Sequence, residues 1–330
     1  MSATVLTVIL NYRTAEMTLR AAQAAQQAMD GVTGAITIVD NDSQDGSFER
    51  LQTATRDWPH VQVLQSGHNG GFGAGNNVGI RAGLPDGTRP DFIYLLNSDA
   101  FPEPDTIARL RDYLLDHPDC GFVGSHVRGE DDLAHVTAFR FPSVWSEFEG
   151  AARTGMISRV LARHIVPMGV PTQTTEIDWC AGASIMFPMS VLDRVGLFDE
   201  AFFLYFEETD LCHRIKDADF RGVYYPDARV VHIGSVSTGM KTWALPPRYW
   251  FESRSRYFRK RGGAAYLALV TFAHLAGAGI WKLRRLIERK EERIAPYFLR
   301  DLVSVTWQNL KPGTMSAQGK TREHAAPVER

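Results

Sequence analysis

Over the first 120 positions the apolar residues switch repeatedly between strand-like and helix-like spacing. Val5 to Leu10 is short and β-branched and predicts a buried strand. Good helix formers follow from Ala15 to Met29. Ala35 to Val39 (AITIV) predicts a second strand ending at Asp40, Phe48 to Arg56 a helix, and Val61 to Leu64 a third strand. Gly70 to Ala82 begins glycine-rich and becomes helical. Phe92 to Leu96 (FIYLL) predicts a fourth strand, and Pro104 to Asp116 a helix with Pro118 beyond its end. This alternation implies an α/β fold, a mainly parallel sheet with helices on both faces. In such sheets ligands sit beyond the carboxyl ends of the strands. Three polar clusters fall there: Asn11-Tyr12-Arg13, Asp40-Asn41-Asp42 and Asn97-Ser98-Asp99.

The pattern is looser from 121 to 175, with a polar turn at Gly129 to Asp132 and helical character from Glu147 to His164. It is dense again from Asp178 to Ser237. After Arg248 comes RYWFESRSRYFRKR, basic and aromatic, then Ala264 to Trp281, apolar apart from Thr271, His274 and two glycines. The expected organisation is a catalytic domain over 1–247, with halves of about 1–120 and 121–247. A helical extension over 248–310 and a polar tail over 311–330 follow. No internal repeat is visible.

Composition narrows the class. The 330 residues are 44% hydrophobic and 11% aromatic, enough for a sizeable core. Lys plus Arg is 36 against 38 Asp plus Glu, and a net charge of −2 argues against bulk nucleic-acid binding. Cys120, Cys180 and Cys212 are odd in number and widely spaced. They suggest neither a zinc ribbon nor a disulfide framework, and a reducing cytoplasm fits. The N-terminus lacks the charged and small-residue signals of a secretory leader, so none is expected.

Five segments carry candidate chemistry. VDNDSQDGS, Val39 to Ser47, is either a tight turn with a helix cap or a carboxylate placed to meet a base or ribose. GHNGGFGAGNNVGI, Gly67 to Ile80, sets glycines and asparagines before a helix N-terminus, where backbone amides can approach phosphate; position 76 is Asn, so the GxGxxG pattern is not met. LLNSDA puts Asp99 past a buried strand, suited to a divalent cation shared with a diphosphate, or to a helix cap. FDEAFFLYFEETDLCHR crowds Glu207, Glu208 and Asp210 behind an aromatic run. Burial beside apolar surface raises carboxylate pKa values and suits a general base; a helix N-terminus would favour the same charges. In VVHIGSVST, His232 follows two buried valines and gains meaning only beside a metal site.

Taken in order, LNYR, VDNDSQDGS, HNGGFGAGNNVGI, LLNSDA, the stretch from Asp178 to Arg214 and VVHIGSVST resemble inverting family 2 glycosyltransferases of GT-A fold, most closely the bacterial rhamnosyltransferase-type branch. The resemblance spans roughly residues 5 to 260. It implies a nucleotide-diphosphate sugar donor, dTDP- or UDP-linked, and a saccharide or lipid-linked saccharide acceptor in surface polysaccharide synthesis. It implies that Asn11, Tyr12, Arg13, Asp40 and Asp42 lie around the nucleotide, with Asp40 against a pyrimidine base. Asn69, Gly71 and Asn76 belong to the loop packed near it. Asn97, Ser98 and Asp99 stand where the family has its Asp-x-Asp metal motif, with Asn in place of the first Asp. Asp99 and His232 are then the expected ligands of Mg2+ or Mn2+. Glu207-Glu208 matches a Glu-Asp motif whose second residue is the usual base, which assigns Glu208 first and Glu207 second. Trp179, Gly182 and Asp210 fall on the acceptor side. Arg254 and Arg256 are candidates for the diphosphate, or a solvated basic face.

The rival reading is a nucleotide-sugar-binding protein without transfer activity, and it draws on the departures at Asn97 and Glu208. A nucleotidyltransferase is more distant, because LNYRTAEM is not a basic Gly-rich loop. Ala264 to Trp281 is 18 residues, short for a spanning helix. It is expected either to lie in the headgroup region, giving a peripheral protein at the inner face of the cytoplasmic membrane, or to pack on the protein or on a second subunit. A homo-oligomer is left open.

Overall fold

The computed structural model describes residues 3–234, 245–292 and 294–311. Its centre is a nine-stranded sheet in the order β3-β2-β1-β4-β10-β6-β11-β5, with β8 pairing β11. The first half is β1 (Val5–Asn11), β2 (Gly34–Asp40), β3 (Val61–Gln65) and β4 (Phe92–Asn97), all mutually parallel. β6 (Cys120–Arg128) and β11 (Arg221–His232) are parallel to each other. Antiparallel β10 (Ser184–Pro188) lies between β4 and β6. Two short strands, β5 (Ala100–Pro102) and β8 (Thr175–Ile177), pair antiparallel with β11. β7 (Ala138–Phe139) and β9 (Trp179–Cys180) form a separate ribbon.

Both faces of the sheet are buried, because successive strand side chains alternate sides. In β1, Val5 and Ile9 join a core with Ala22 and Ala25 of α1 (Ala15–Ala28), Leu51 of α2 (Ser47–Ala54), and Ile107 and Leu110 of α4 (Thr106–Asp116). Leu6 and Val8 face the other core, with Ile80 of α3 (Phe72–Ala82), Leu192 of α7 (Met189–Val195), and Leu211 and Ile215 of α8 (Glu207–Asp217). Cys120, Cys180 and Cys212 are free thiols within these cores.

Between β7 and β8 lie α5 (Val144–Ala152) and α6 (Gly155–Val160). The C-terminal extension is α9 (Arg248–Glu288) and α10 (Phe298–Leu310). α9 breaks at Gly262 and Gly263, the latter with φ +74°, so its two arms are separate helical segments. The extension is not solvated around its basic run. Phe202 shares a buried cluster with Tyr257, Phe258, Leu267 and Val270. The cations bind carboxylates of the sheet domain: Arg256 and Lys260 meet Asp199, Lys260 also meets Asp210, and Arg261 meets Asp217.

Candidate active site

The polar clusters converge at the carboxyl edge of the parallel strands. Strand pairing brings Asn11 opposite Asp40. Asn11 donates to Asp40 Oδ1 at 2.6 Å, and Ser43 donates to the same carboxylate through Oγ at 2.6 Å and its N–H at 3.1 Å. Asn11 Oδ1 in turn accepts from Thr18 Oγ1 at 2.7 Å. Both residues are fully buried. Asp40 thus joins the two loops, and it also lines the cavity at the strand ends.

The loop also holds a buried acceptor that the sequence reading passed over. Asn41 is 3% exposed and donates to Asn69 Oδ1 and the Gly71 carbonyl. Its own Oδ1 is buried without a partner among the described residues. Asp42 is half-buried in left-handed backbone (φ +57°), and Tyr12 and Arg13 form the rim, with the guanidinium 5.1 Å above the phenol ring. An open cavity of about 400 Å³ lies against this loop, lined in part by Asp40, Asp42, Gln44, Phe48 and Gln65. A larger one, about 500 Å³, is beside Met29 and Gly34 at the start of β2, away from the strand ends and from every cluster above.

The glycine-rich loop does two jobs. Gly71 has φ +88°, and a Cβ there would collide with the carbonyl of Phe203, which accepts the Phe72 N–H at 3.0 Å. The Phe72 ring lies against Gly182, where an added Cβ would sit 2.9 Å from it. The loop therefore joins the nucleotide half to the segment carrying the carboxylates. Asn76, expected at the nucleotide, instead donates to the Phe72 carbonyl of its own helix and is 1% exposed. Asn77 beside it donates to the Phe198 carbonyl and to Glu200.

β5 explains how Asp99 meets His232. The sequence reading passed straight from strand to helix here, but Ala100–Pro102 pairs with the end of β11, setting Ala100 opposite His232. His232 Nε2 then lies 3.1 Å from Asp99 Oδ1 and 3.4 Å from Asn97 Nδ2. The His135 ring stands 6.4 Å from that of His232, centre to centre. No sequence signal marked His135, which sits alone in an irregular stretch. Ser98 is buried, 3.4 Å from Thr14 Oγ1. No group of three metal-ligating side chains occurs among the described residues. Asp99 and His232 fit a divalent cation that takes its remaining ligands from a diphosphate, and the imidazole suits Mn2+ better than Mg2+.

Glu207 and Glu208 open α8. The two residues before them, Tyr205 and Phe206, are both left-handed (φ +69° and +68°), a strained arrangement for bulky side chains. Burial raises both carboxyl pKa values, that of Glu207 well above the ordinary range, with repulsion from Glu208 adding to it. Hydrogen bonding from the Glu208 backbone N–H, and then from that of Gly182, opposes the rise at Glu208. Each has an Oε2 that is buried without a protein partner among the described residues. An unpaired buried carboxylate oxygen is costly unless a ligand completes it.

Two further assignments are corrected. Asp210 does not face an acceptor: it is 1% exposed and holds Arg214 at 3.0 Å and Lys260 at 2.8 Å. Arg254 does not reach a diphosphate: its side chain is wholly buried, 2.6 Å from Glu147. Arg256 is likewise held by Asp199 at 3.1 Å. Trp179 stacks on Phe139 at 4.3 Å and donates to the Arg140 carbonyl, and it remains half-buried on the ribbon beside Gly182.

A parallel sheet with its polar clusters at one edge, a carboxylate–imidazole pair and a strained carboxylate pair define a nucleotide-sugar transferase of GT-A architecture. The chain belongs to glycosyltransferase family 2: the family described as "Glycosyltransferase like family 2" matches residues 5–263. It is 29% identical over 218 residues to an N-acetylglucosaminyl-diphospho-decaprenol L-rhamnosyltransferase of Mycobacterium tuberculosis, covering 62% of this chain and 68% of that one. To the rhamnosyltransferase WbbL of Escherichia coli it is 26% identical over 199 residues, 58% and 73% of the two chains. Among solved structures it resembles a mannosyltransferase of Pyrobaculum calidifontis in complex with GDP-Man and Mn2+ (TM-score 0.57, 16% identity, 94% of this chain and 88% of that one). It also resembles the TarS of S. aureus with UDP-GlcNAc (TM-score 0.56, 10% identity, 94% and 82%).

Proposed function

We propose that this protein transfers a deoxyhexose, rhamnose, from a dTDP- or UDP-linked donor to a saccharide or lipid-linked saccharide acceptor, with inversion at C1. The observation that carries the reading is the Glu207–Glu208 pair, a buried and a half-buried carboxylate with raised pKa values and an unpaired, inaccessible oxygen each. A general base must be ionised when it acts. The backbone N–H groups of Glu208 and Gly182 favour the ionised form of Glu208, while burial and the neighbouring Glu208 charge oppose ionisation of Glu207. Glu208 therefore takes the proton of the acceptor hydroxyl, which attacks the sugar from the face opposite the departing diphosphate.

Asp99 and His232 hold the divalent cation, which when bound offsets the charge developing on the diphosphate. Asp40, which lines the cavity at the strand ends, is the proposed base reader, its carboxylate complementing the N3–H of thymine or uracil. The names of the relatives support rhamnose and a polyprenyl-diphosphate acceptor.

The test is a donor series, dTDP-rhamnose, UDP-hexoses and GDP-mannose, with Mn2+ and an N-acetylglucosaminyl-diphospho-polyprenol acceptor, followed by NMR of the product anomer. Transfer from dTDP-rhamnose with inversion supports the proposal. Donor binding with no transfer to any saccharide would favour a nucleotide-sugar-binding role instead.

A further inference from the structure

The second arm of α9 buries one face, with Leu267, Val270, Thr271, Gly277, Ala278 and Trp281 turned inward. Its opposite face is apolar and exposed: Phe272 is 67% exposed, Leu283 62%, Leu286 73% and Ile287 74%, with Leu269 and Ile280 also open. Along this face the residues Ala265, Leu269, Phe272, Ala276, Gly279, Leu283 and Leu286 are spaced alternately four and three apart. That is the seam of a helix pair, sustained for about 33 Å. By length and composition α9 would also pass for a membrane-crossing helix.

One observation selects the occupant, the order of size along the seam. From Leu269 to Leu286 the seam reads large, large, small, small, large, large, the same in both directions about a point between Ala276 and Gly279. Two copies running antiparallel would set Ala276 against Gly279, Phe272 against Leu283, and Leu269 against Leu286. The small pair lets the helices approach, and the large pairs close over it. The polar residues 312–330, whose large aliphatics are Met315 and Val328, lack the apolar surface to cover this face themselves.

We infer that a second copy of this chain covers the exposed face of α9, forming a twofold antiparallel helix pair centred between Ala276 and Gly279. The exposed seam amounts to roughly 600 Å² per chain, so pairing removes about 1,200 Å² from water, at the lower edge of a stable interface. The arrangement is isologous and closed, and so gives a dimer rather than a fibre.

Sedimentation velocity on the full chain is expected to show a dimer, and Phe272→Glu and Leu283→Glu are expected to give monomers with unchanged circular dichroism. Cysteine cross-linking fixes the geometry, since the native thiols are buried. A mixture of Leu269→Cys and Leu286→Cys chains should form the mixed disulfide, and Leu269→Cys alone should not. Cross-linking of Leu269→Cys with itself would overturn the antiparallel arrangement. A wild-type monomer at tens of micromolar that co-sediments with anionic vesicles, and loses that binding in Phe272→Glu, would overturn the dimer and assign the face to lipid.

Discussion

Arg254 and Glu147 are joined inside the protein by an ion pair of 2.6 Å, and His274 Nδ1 approaches the same carboxylate oxygen at 2.9 Å. Arg254 and His274 lie on the two arms of α9, on either side of the break at Gly262–Gly263, and Glu147 lies on α5. One carboxylate therefore ties both arms to the catalytic domain. The Arg254 guanidinium also stands 4.8 Å from the centre of the Phe258 ring and 3.3 Å from Thr271 Oγ1.

Removing one partner leaves a buried charge uncompensated, which costs about 3–5 kcal/mol. Arg254→Ala is expected to destabilise the protein by that order in urea unfolding, and Glu147→Gln to do so at neutral pH. Against the effect of burial, the Arg254 guanidinium and the hydrogen bond with His274 hold the Glu147 pKa at about 2, below an ordinary value of 4.5. A lowered carboxyl pKa contributes stability above the unfolded value, lost as pH falls through the folded one. Wild type should therefore lose stability from about pH 4.5 downward, with a component absent from Glu147→Gln. Parallel curves for the two proteins would refute the assignment.

The carboxylate pair predicts an asymmetry. Glu208→Gln keeps the shape of the side chain but cannot accept a proton, and kcat should fall by roughly 10²-fold or more with donor affinity retained. Because burial raises the Glu208 pKa, the acid limb of kcat should lie above the ordinary carboxylate value of 4.5, activity rising with pH as the base ionises. Should Glu207→Gln prove dead while Glu208→Gln turns over normally, the roles are reversed.

Asp99→Ala and His232→Ala are expected to abolish stimulation by Mn2+ and to weaken binding of nucleoside diphosphate in the presence of metal, while Ser98→Ala should do neither. Isothermal titration with and without Mn2+ separates metal binding from turnover. Full activity of the wild-type enzyme in excess chelator would remove the metal from the reaction.

The strands of the first half were legible because apolar runs of four to seven residues bounded by turn residues admit few readings. What sequence could not show was where short edge strands pair. β5 is three residues long and carries no pattern, yet it sets Asp99 beside His232. Charge misled for a related reason. RYWFESRSRYFRKR looks solvated in sequence, but the carboxylates that neutralise it, Glu147, Asp199, Asp210 and Asp217, lie 44 to 107 residues from their partners along the chain. That Asp40 both joins two loops and lines the strand-end cavity follows from hydrogen bonds and packing, which no motif displays.

Gly71 offers the sharpest test of the link between the two halves of the site. Its backbone, at φ +88° and ψ −172°, lies in a region essentially restricted to glycine. Gly46 gives a milder comparison: it is left-handed at φ +81° and ψ 6°, and nothing lies within 4 Å of an added Cβ. At Gly71 the Cβ would meet the Phe203 carbonyl as well, and backbone cannot yield as a side-chain tip does. Phe203 is four residues before Glu207, and its carbonyl is held by the Phe72 N–H at 3.0 Å. Gly71→Ala must therefore push away the segment that carries Glu207 and Glu208 through their strained approach at Tyr205 and Phe206. The expected result is a loss of stability several-fold larger in free energy than for Gly46→Ala, with kcat reduced well beyond any change in donor binding. Equal effects of the two substitutions on stability and kcat would show that the glycine loop serves the nucleotide alone.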